Sequence, residues 1–112
     1  MMVLYLLVIT VQTTLIPCGT VCLCNIERTS LVCENAGFSN TPVEIIDISL
    51  KSKIRGLGLQ RNYISTLKLT DLQTYPNLEV VDVSLQKTAW RCVKLDFPRA
   101  TQTFKVLGKY IL

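Results

Sequence analysis

Residues 54–64 read Ile54-Arg55-Gly56-Leu57-Gly58-Leu59-Gln60-Arg61-Asn62-Tyr63-Ile64, and their pattern returns 24 residues downstream. Ile54 is matched by Leu78, Leu57 by Val81, Leu59 by Val83 and Asn62 by Gln86. Apolar residues two apart have the period of a strand with one buried face. Leu57 with Leu59 and Val81 with Val83 are therefore read as the inward positions of two short strands over residues 57–60 and 81–84. Asn62 turns the chain out of the first strand and satisfies backbone groups with its side-chain amide, while Ile64, Leu67 and Leu72 fill the space behind. Phe104 and Val106 alternate in the same way, Phe104 standing 23 residues after Val81, and suggest a third, irregular strand over 103–107.

Outward from this pattern, the first quarter of the chain is electrically silent. Every Lys, Arg, Asp and Glu falls after position 26, Glu27 being the first. Met2 to Val11 is almost continuously apolar and is followed by Gln12, Thr13, Thr14 and the turn-former Pro17. A bilayer crossing takes roughly 20 apolar residues, so this stretch is too short for a span and has the length of a signal-peptide core. Residues 1–17 are expected to be a signal peptide, the protein secreted or extracellular, and the mature chain without a transmembrane helix. Neither a Lys or Arg ahead of the apolar core nor an Ala-x-Ala site after it is present, so the cut itself is not fixed.

Five cysteines in 112 residues behind such a segment are read as disulfides of an oxidising compartment. Cys18, Cys22, Cys24 and Cys33 form the run C-x3-C-x-C-x8-C, and Cys92 stands apart. Three pairings of the first four are open, a Cys22–Cys24 bridge being disfavoured by its very tight ring. A four-thiolate zinc site is the rival reading, but structural zinc draws its ligands as separated pairs of the C-x2-C kind. Cys92 is left as a buried reduced thiol, as a link to a second copy in a disulfide-bonded dimer, or as the trace of a shortened cap.

Taken together, the cysteine run and the template L-x-x-L-x-L-x-x-N-x-L resemble the extracellular leucine-rich repeat proteins with a cysteine-rich N-terminal cap, such as Slit, the Nogo receptor and the small leucine-rich proteoglycans. Cys33, Pro42 and Ile45 follow the family's cap, and the resemblance covers roughly residues 18–92. It implies an α/β-type leucine-rich repeat solenoid: short parallel strands, an irregular convex side, and an N-terminal disulfide cap with a small hairpin. It implies Cys18 bonded to Cys24 and Cys22 to Cys33. The organisation expected is a cap over 18–50, repeats over 51–92, and an irregular C-terminal rung or cap over 93–112. Three features depart from the family. Ile45, Ile46, Ile48 and Leu50 form an unplaced apolar segment, Gln86 replaces the turn Asn with a longer amide, and Trp90-Arg91-Cys92 lacks the cysteines of a C-terminal cap.

Function in such an architecture lies in the outward side chains of the parallel strands. These are Gly56, Gly58, Gln60 and Arg61 in the first copy and Val80, Asp82, Ser84 and Leu85 in the second. With the glycines offering no side chain, Gln60, Arg61, Asp82, Ser84 and Leu85 are expected to contact an extracellular or cell-surface protein partner. Other classes fare worse. The chain has no histidine, which removes imidazole base chemistry and His-ligated metal sites, and its scattered acids and hydroxyls assemble no catalytic set. No enzyme activity and no cofactor are expected. A net charge of +4 is too mild and too dispersed for nucleic acid. A small basic disulfide-rich effector or host-defence peptide is the second reading, weakened by Asp47 and Asp71 among Lys51, Lys53, Arg55 and Arg61. A non-functional fragment of a longer receptor is the third. No Asn-x-Ser/Thr sequon occurs, so N-glycosylation is not expected.

Overall fold

Alternation of buried and exposed side chains builds the first three strands around sulfur. The computed structural model describes residues 14–19, 21–42, 48–89, 91–97 and 103–111. Strands β1 (Leu15–Pro17), β2 (Leu23–Asn25) and β3 (Ser30–Val32) pair antiparallel in sequence order. The β2–β3 turn closes because Asn25 Oδ1 accepts from the backbone N–H groups of Thr29 and Ser30, with Arg28 in the left-handed region at φ 59°. Cys18 is bonded to Cys24 and Cys22 to Cys33, and all four half-cystines are buried with Leu31. That is the pairing the resemblance implies. Most of the signal segment, residues 1–13, lies outside the described residues, but its last three residues are β1, so a boundary at residue 17 would remove a paired strand.

From β3 onward the pairing turns parallel. Strand β3 continues to β4 (Gly56–Gly58), β6 (Val80–Asp82) and β8 (Lys105–Leu107), completing a six-stranded sheet in the order β1-β2-β3-β4-β6-β8. Leu31, Leu57, Val81 and Val106 are direct cross-strand partners in successive pairs, and each is buried. The 24-residue recurrence is thus a strand register. One detail differs from the sequence reading: Val81 faces Val106, not Phe104. The next inward place after Val106 is Gly108, at φ 120°, where a β-carbon would sit 2.8 Å from the Ser84 amide nitrogen. Only glycine lets the backbone approach that closely, and the chain leaves the sheet there.

The expectation of an α/β-type leucine-rich repeat solenoid with an irregular convex side is overturned. The described residues form a small, mostly-sheet body of nine short strands in two sheets. Among the described residues helix is confined to α1 (Ile48–Lys51) and α2 (Leu69–Leu72), one turn each. The stretch expected to be irregular is a second, three-stranded parallel sheet of β5 (Thr66–Lys68), β7 (Val93–Asp96) and β9 (Tyr110–Ile111). Its cause is legible in β7, where Val93 and Leu95 are buried while Lys94 and Asp96 are exposed, the two-residue period of a strand. Leu67 and Leu95, direct partners in β5 and β7, point into the same core as Val81. The unplaced segment through Ile45 and Ile46, and Trp90, lie outside the described residues.

Tyr75, just past α2, is 2% exposed, and its hydroxyl donates to the carbonyl of Pro42. Burial pushes its pKa up to about 12. At the far end Phe97 and Phe104 meet edge to face with ring centroids 5.8 Å apart.

Candidate functional site

The backbone carbonyls at the ends of β3, β4 and β6 would be orphaned in the core without side-chain donors. Asn62, fully buried, donates through Nδ2 to the carbonyls of Cys33 and Leu59 at 2.8 and 3.0 Å, and its Oδ1 accepts from the N–H groups of Ala36 and Phe38. Gln86 repeats the arrangement one turn on. Its Nε2 donates to Leu59 and Val83 at 2.7 and 3.3 Å, and its Oε1 accepts from Ile64 N–H at 2.9 Å. The longer amide, a departure from the family's asparagine, therefore fits the turn. Together the two amides fix where each strand ends and where the residues just before them project.

Those residues form the candidate site. Glu34, Gln60 and Ser84 follow the inward ladder of Cys33, Leu59 and Val83, and after them come Asn35, Arg61 and Leu85, all left-handed at φ 52°, 56° and 59°. Glycine or asparagine is the unstrained choice at such a place; Arg61 and Leu85 carry long side chains there, and Leu85 is 59% exposed. Arg61 Nη1 donates to Glu34 Oε1, an ion pair between turns 27 residues apart. Gln60 Nε2 donates to Asp82 Oδ2 at 3.0 Å, and Ser84 donates to Asp82 Oδ1 from both its amide and its hydroxyl. Gln60 lies back over Gly58, whose missing side chain makes the room: a β-carbon there would fall 2.9 Å from Gln60 Oε1.

The five residues expected to meet a partner therefore share one face, but in two groups. Gln60, Asp82 and Ser84 are half-buried and bonded to one another, whereas Arg61 and Leu85 stand exposed. Leu57, Leu59, Asn62, Val81 and Val83, expected to be structural, are all buried. Sequence reasoning missed Glu34. The signal was present, because Leu31 and Cys33 alternate 26 residues before Leu57 and Leu59 and make Glu34 the counterpart of Gln60.

Two hollows flank Arg61. On the cap side, Leu15, Val21, Leu23 and Val32 line an apolar depression of about 360 Å³ that Glu34 and Arg61 close. On the other side, Arg61, Leu85, Lys87, Thr88, Ala89 and Arg91 border one of about 560 Å³. Lys87 Nζ donates to Asn35 Oδ1 and sits 5.5 Å from the centre of the Tyr63 ring. Cys92, next in sequence to Arg91, is a half-buried free thiol. Among the described residues no group of three or more His, Cys, Asp or Glu is placed to hold a metal ion, and no helix is long and apolar enough to cross a membrane.

No protein-family model, no curated protein and no solved structure matches this chain. The face is accordingly read from its own chemistry: a pinned polar lattice of Gln60, Asp82 and Ser84, with exposed Arg61 and Leu85 beside it and apolar side chains at either end, Leu23 of β2 and Leu107 of β8.

Proposed function

We propose that this is a secreted, non-catalytic recognition module that binds an extracellular or cell-surface protein through the outward face of its six-stranded sheet. The observation that carries the reading is the pair of left-handed, exposed side chains, Arg61 and Leu85, in consecutive turns. A left-handed conformation costs a residue with a β-carbon about 1 to 2 kcal/mol, and neither side chain repays it with core packing. Selection for contact with a partner accounts for both. The resemblance to cysteine-capped extracellular leucine-rich repeat proteins supports the same class of function, and the two disulfides are compatible with an oxidising compartment.

The export segment is proposed to end ahead of Leu15, so that the mature chain keeps β1. Non-reducing intact mass of the protein secreted from cells tests this and reports Cys92 at once. A mature chain beginning between residues 10 and 15 is expected. Retention of Met1 contradicts export, a start after Pro17 contradicts a role for β1, and a doubled mass that collapses on reduction assigns Cys92 to a disulfide-linked dimer.

The face itself is tested by binding of labelled protein to cells and extracellular matrix. Leu85→Asp with Ser84→Arg is expected to abolish saturable binding without changing the melting temperature by more than a few degrees. Lys68→Ala and Lys94→Ala, exposed on the second sheet, are expected to leave it intact. Equal loss from both sheets would overturn the assignment.

A further inference from the structure

The hollow bordered by Leu85, Lys87, Thr88, Ala89 and Arg91 carries three cations, Arg61, Lys87 and Arg91, and no acid among the described residues that line it. Among the described residues one of the three is neutralised by a carboxylate: Glu34 holds Arg61 from the cap side. Lys87 is held by an amide oxygen and an aromatic ring, contacts that fix its ammonium without cancelling its charge. Among the described residues no carboxylate lies within ion-pair distance of Arg91. Positive charge is thus concentrated at one end of the sheet face and left for a ligand.

We propose that this hollow takes an acidic segment of a protein partner, its carboxylates facing Lys87 and Arg91 and its apolar side chains lying on Leu85 and Ala89. The inference rests on the protein-recognition reading and names the chemistry of what that face binds. Two observations favour a protein over another polyanion. Leu85, 59% exposed, and Ala89 give the hollow an apolar flank that a sugar-sulfate or nucleic-acid backbone would leave unused. The hollow also shares Arg61 with the sheet face, so one continuous segment reaches both. Because the cations are open to solvent, the attraction is screened over roughly 8 Å at physiological salt, so several carboxylates acting together are required.

The probe is an N-acetylated hexaglutamate peptide titrated into isotopically labelled, disulfide-intact protein at low salt, with amide shifts read by NMR. Hexalysine and inorganic sulfate serve as controls. Saturable shifts confined to residues 61 and 85–92 are expected, weakening about tenfold between low and high salt. The double variant Lys87→Ala/Arg91→Ala should weaken binding at least about tenfold while the remaining spectrum stays native. Failure to saturate, an equal response to hexalysine, or unchanged affinity in the double variant would overturn the proposal, as would sulfate binding more tightly than hexaglutamate. Hexaglutamate binding by the unaltered protein supports the cationic hollow even where Leu85→Asp/Ser84→Arg leaves cell binding unchanged, a result that removes the sheet-face reading alone. Loss of cell binding in the face variant with no hexaglutamate binding removes this inference alone.

Discussion

The two ends of the large sheet are held by different forces. At the cap, β1 to β3 run antiparallel, and the buried side chains of that region are Leu31 and four half-cystines. At the other end β4, β6 and β8 run parallel, and their interior is aliphatic and aromatic: Leu57, Leu59, Val81, Val83, Phe104 and Val106, backed by Val93 and Leu95 of the second sheet. The cap has too few apolar residues to bury and is closed covalently over short loops. The parallel end closes itself by repeating a register and by spending buried amides, Asn62 and Gln86, on carbonyls the strands leave behind. Covalent closure and repeated packing are thus alternative answers to the same shortage of core in a small domain.

The most severe break of this comparison is a charge in the parallel end. Val83 is 0% exposed, and Val83→Asp buries a carboxylate without a partner, expected to cost upward of about 4 kcal/mol and to abolish the cooperative thermal melt. A stable, cooperative Val83→Asp protein would mean that Val83 does not face the core. At the cap, replacing Cys22 and Cys33 together by alanine reopens an 11-residue separation, expected to cost about 3 kcal/mol from loop entropy. Hydrogen exchange should then show β1 to β3 losing protection first, while β4 and β6 keep theirs. Uniform loss across both ends would erase the distinction.

The amide turns sharpen it further. Gln86→Ala leaves the Leu59 and Val83 carbonyls and the Ile64 N–H without their side-chain partner, a loss of about 2 kcal/mol by chemical denaturation. Asn62→Ala, which removes more bonds, should cost more. The effect with the narrowest range of conditions is confined to alkaline pH. Tyr75 titrates near 10 when unfolded and at about 12 when folded, so its contribution is intact below pH 10. Between pH 10 and 12 the unfolded chain gives up the proton first, and stability should fall by on the order of 2 kcal/mol. Tyr75→Phe is expected to lack that part of the decline, measured as the difference between the two proteins' denaturation midpoints across this range.

The parallel end was the more legible in sequence, because Leu57 with Leu59 and Val81 with Val83 repeat at a fixed spacing and a register follows from spacing alone. The second sheet was hidden. Thr66–Lys68 is three residues with a single buried side chain, Leu67, and no period can be read from one position. Gln86 was legible as a counterpart of Asn62 but not as an adequate one, since the reach of its amide to two carbonyls and an N–H depends on how neighbouring strands end. At the site, Gln60, Asp82 and Ser84 followed from strand alternation, whereas the exposure of Arg61 and Leu85 comes from their left-handed turns, and the Gln60–Asp82–Ser84 bonds and the cationic hollow depend on which side chains neighbouring turns bring together. Pro17, legible in the sequence only as a turn-former, here ends an edge strand, a place where a missing N–H is tolerated.

The claim that one sheet face serves recognition is tested most directly by photo-crosslinking on living cells. A photoreactive residue is placed at Ser84 on the outward face of the large sheet or at Lys94 on the second sheet, and both proteins are confirmed folded by their melts. The account predicts a discrete crosslinked protein from position 84, competed away by unlabelled protein, and none from position 94. Crosslinking from position 94 with none from position 84 would contradict it.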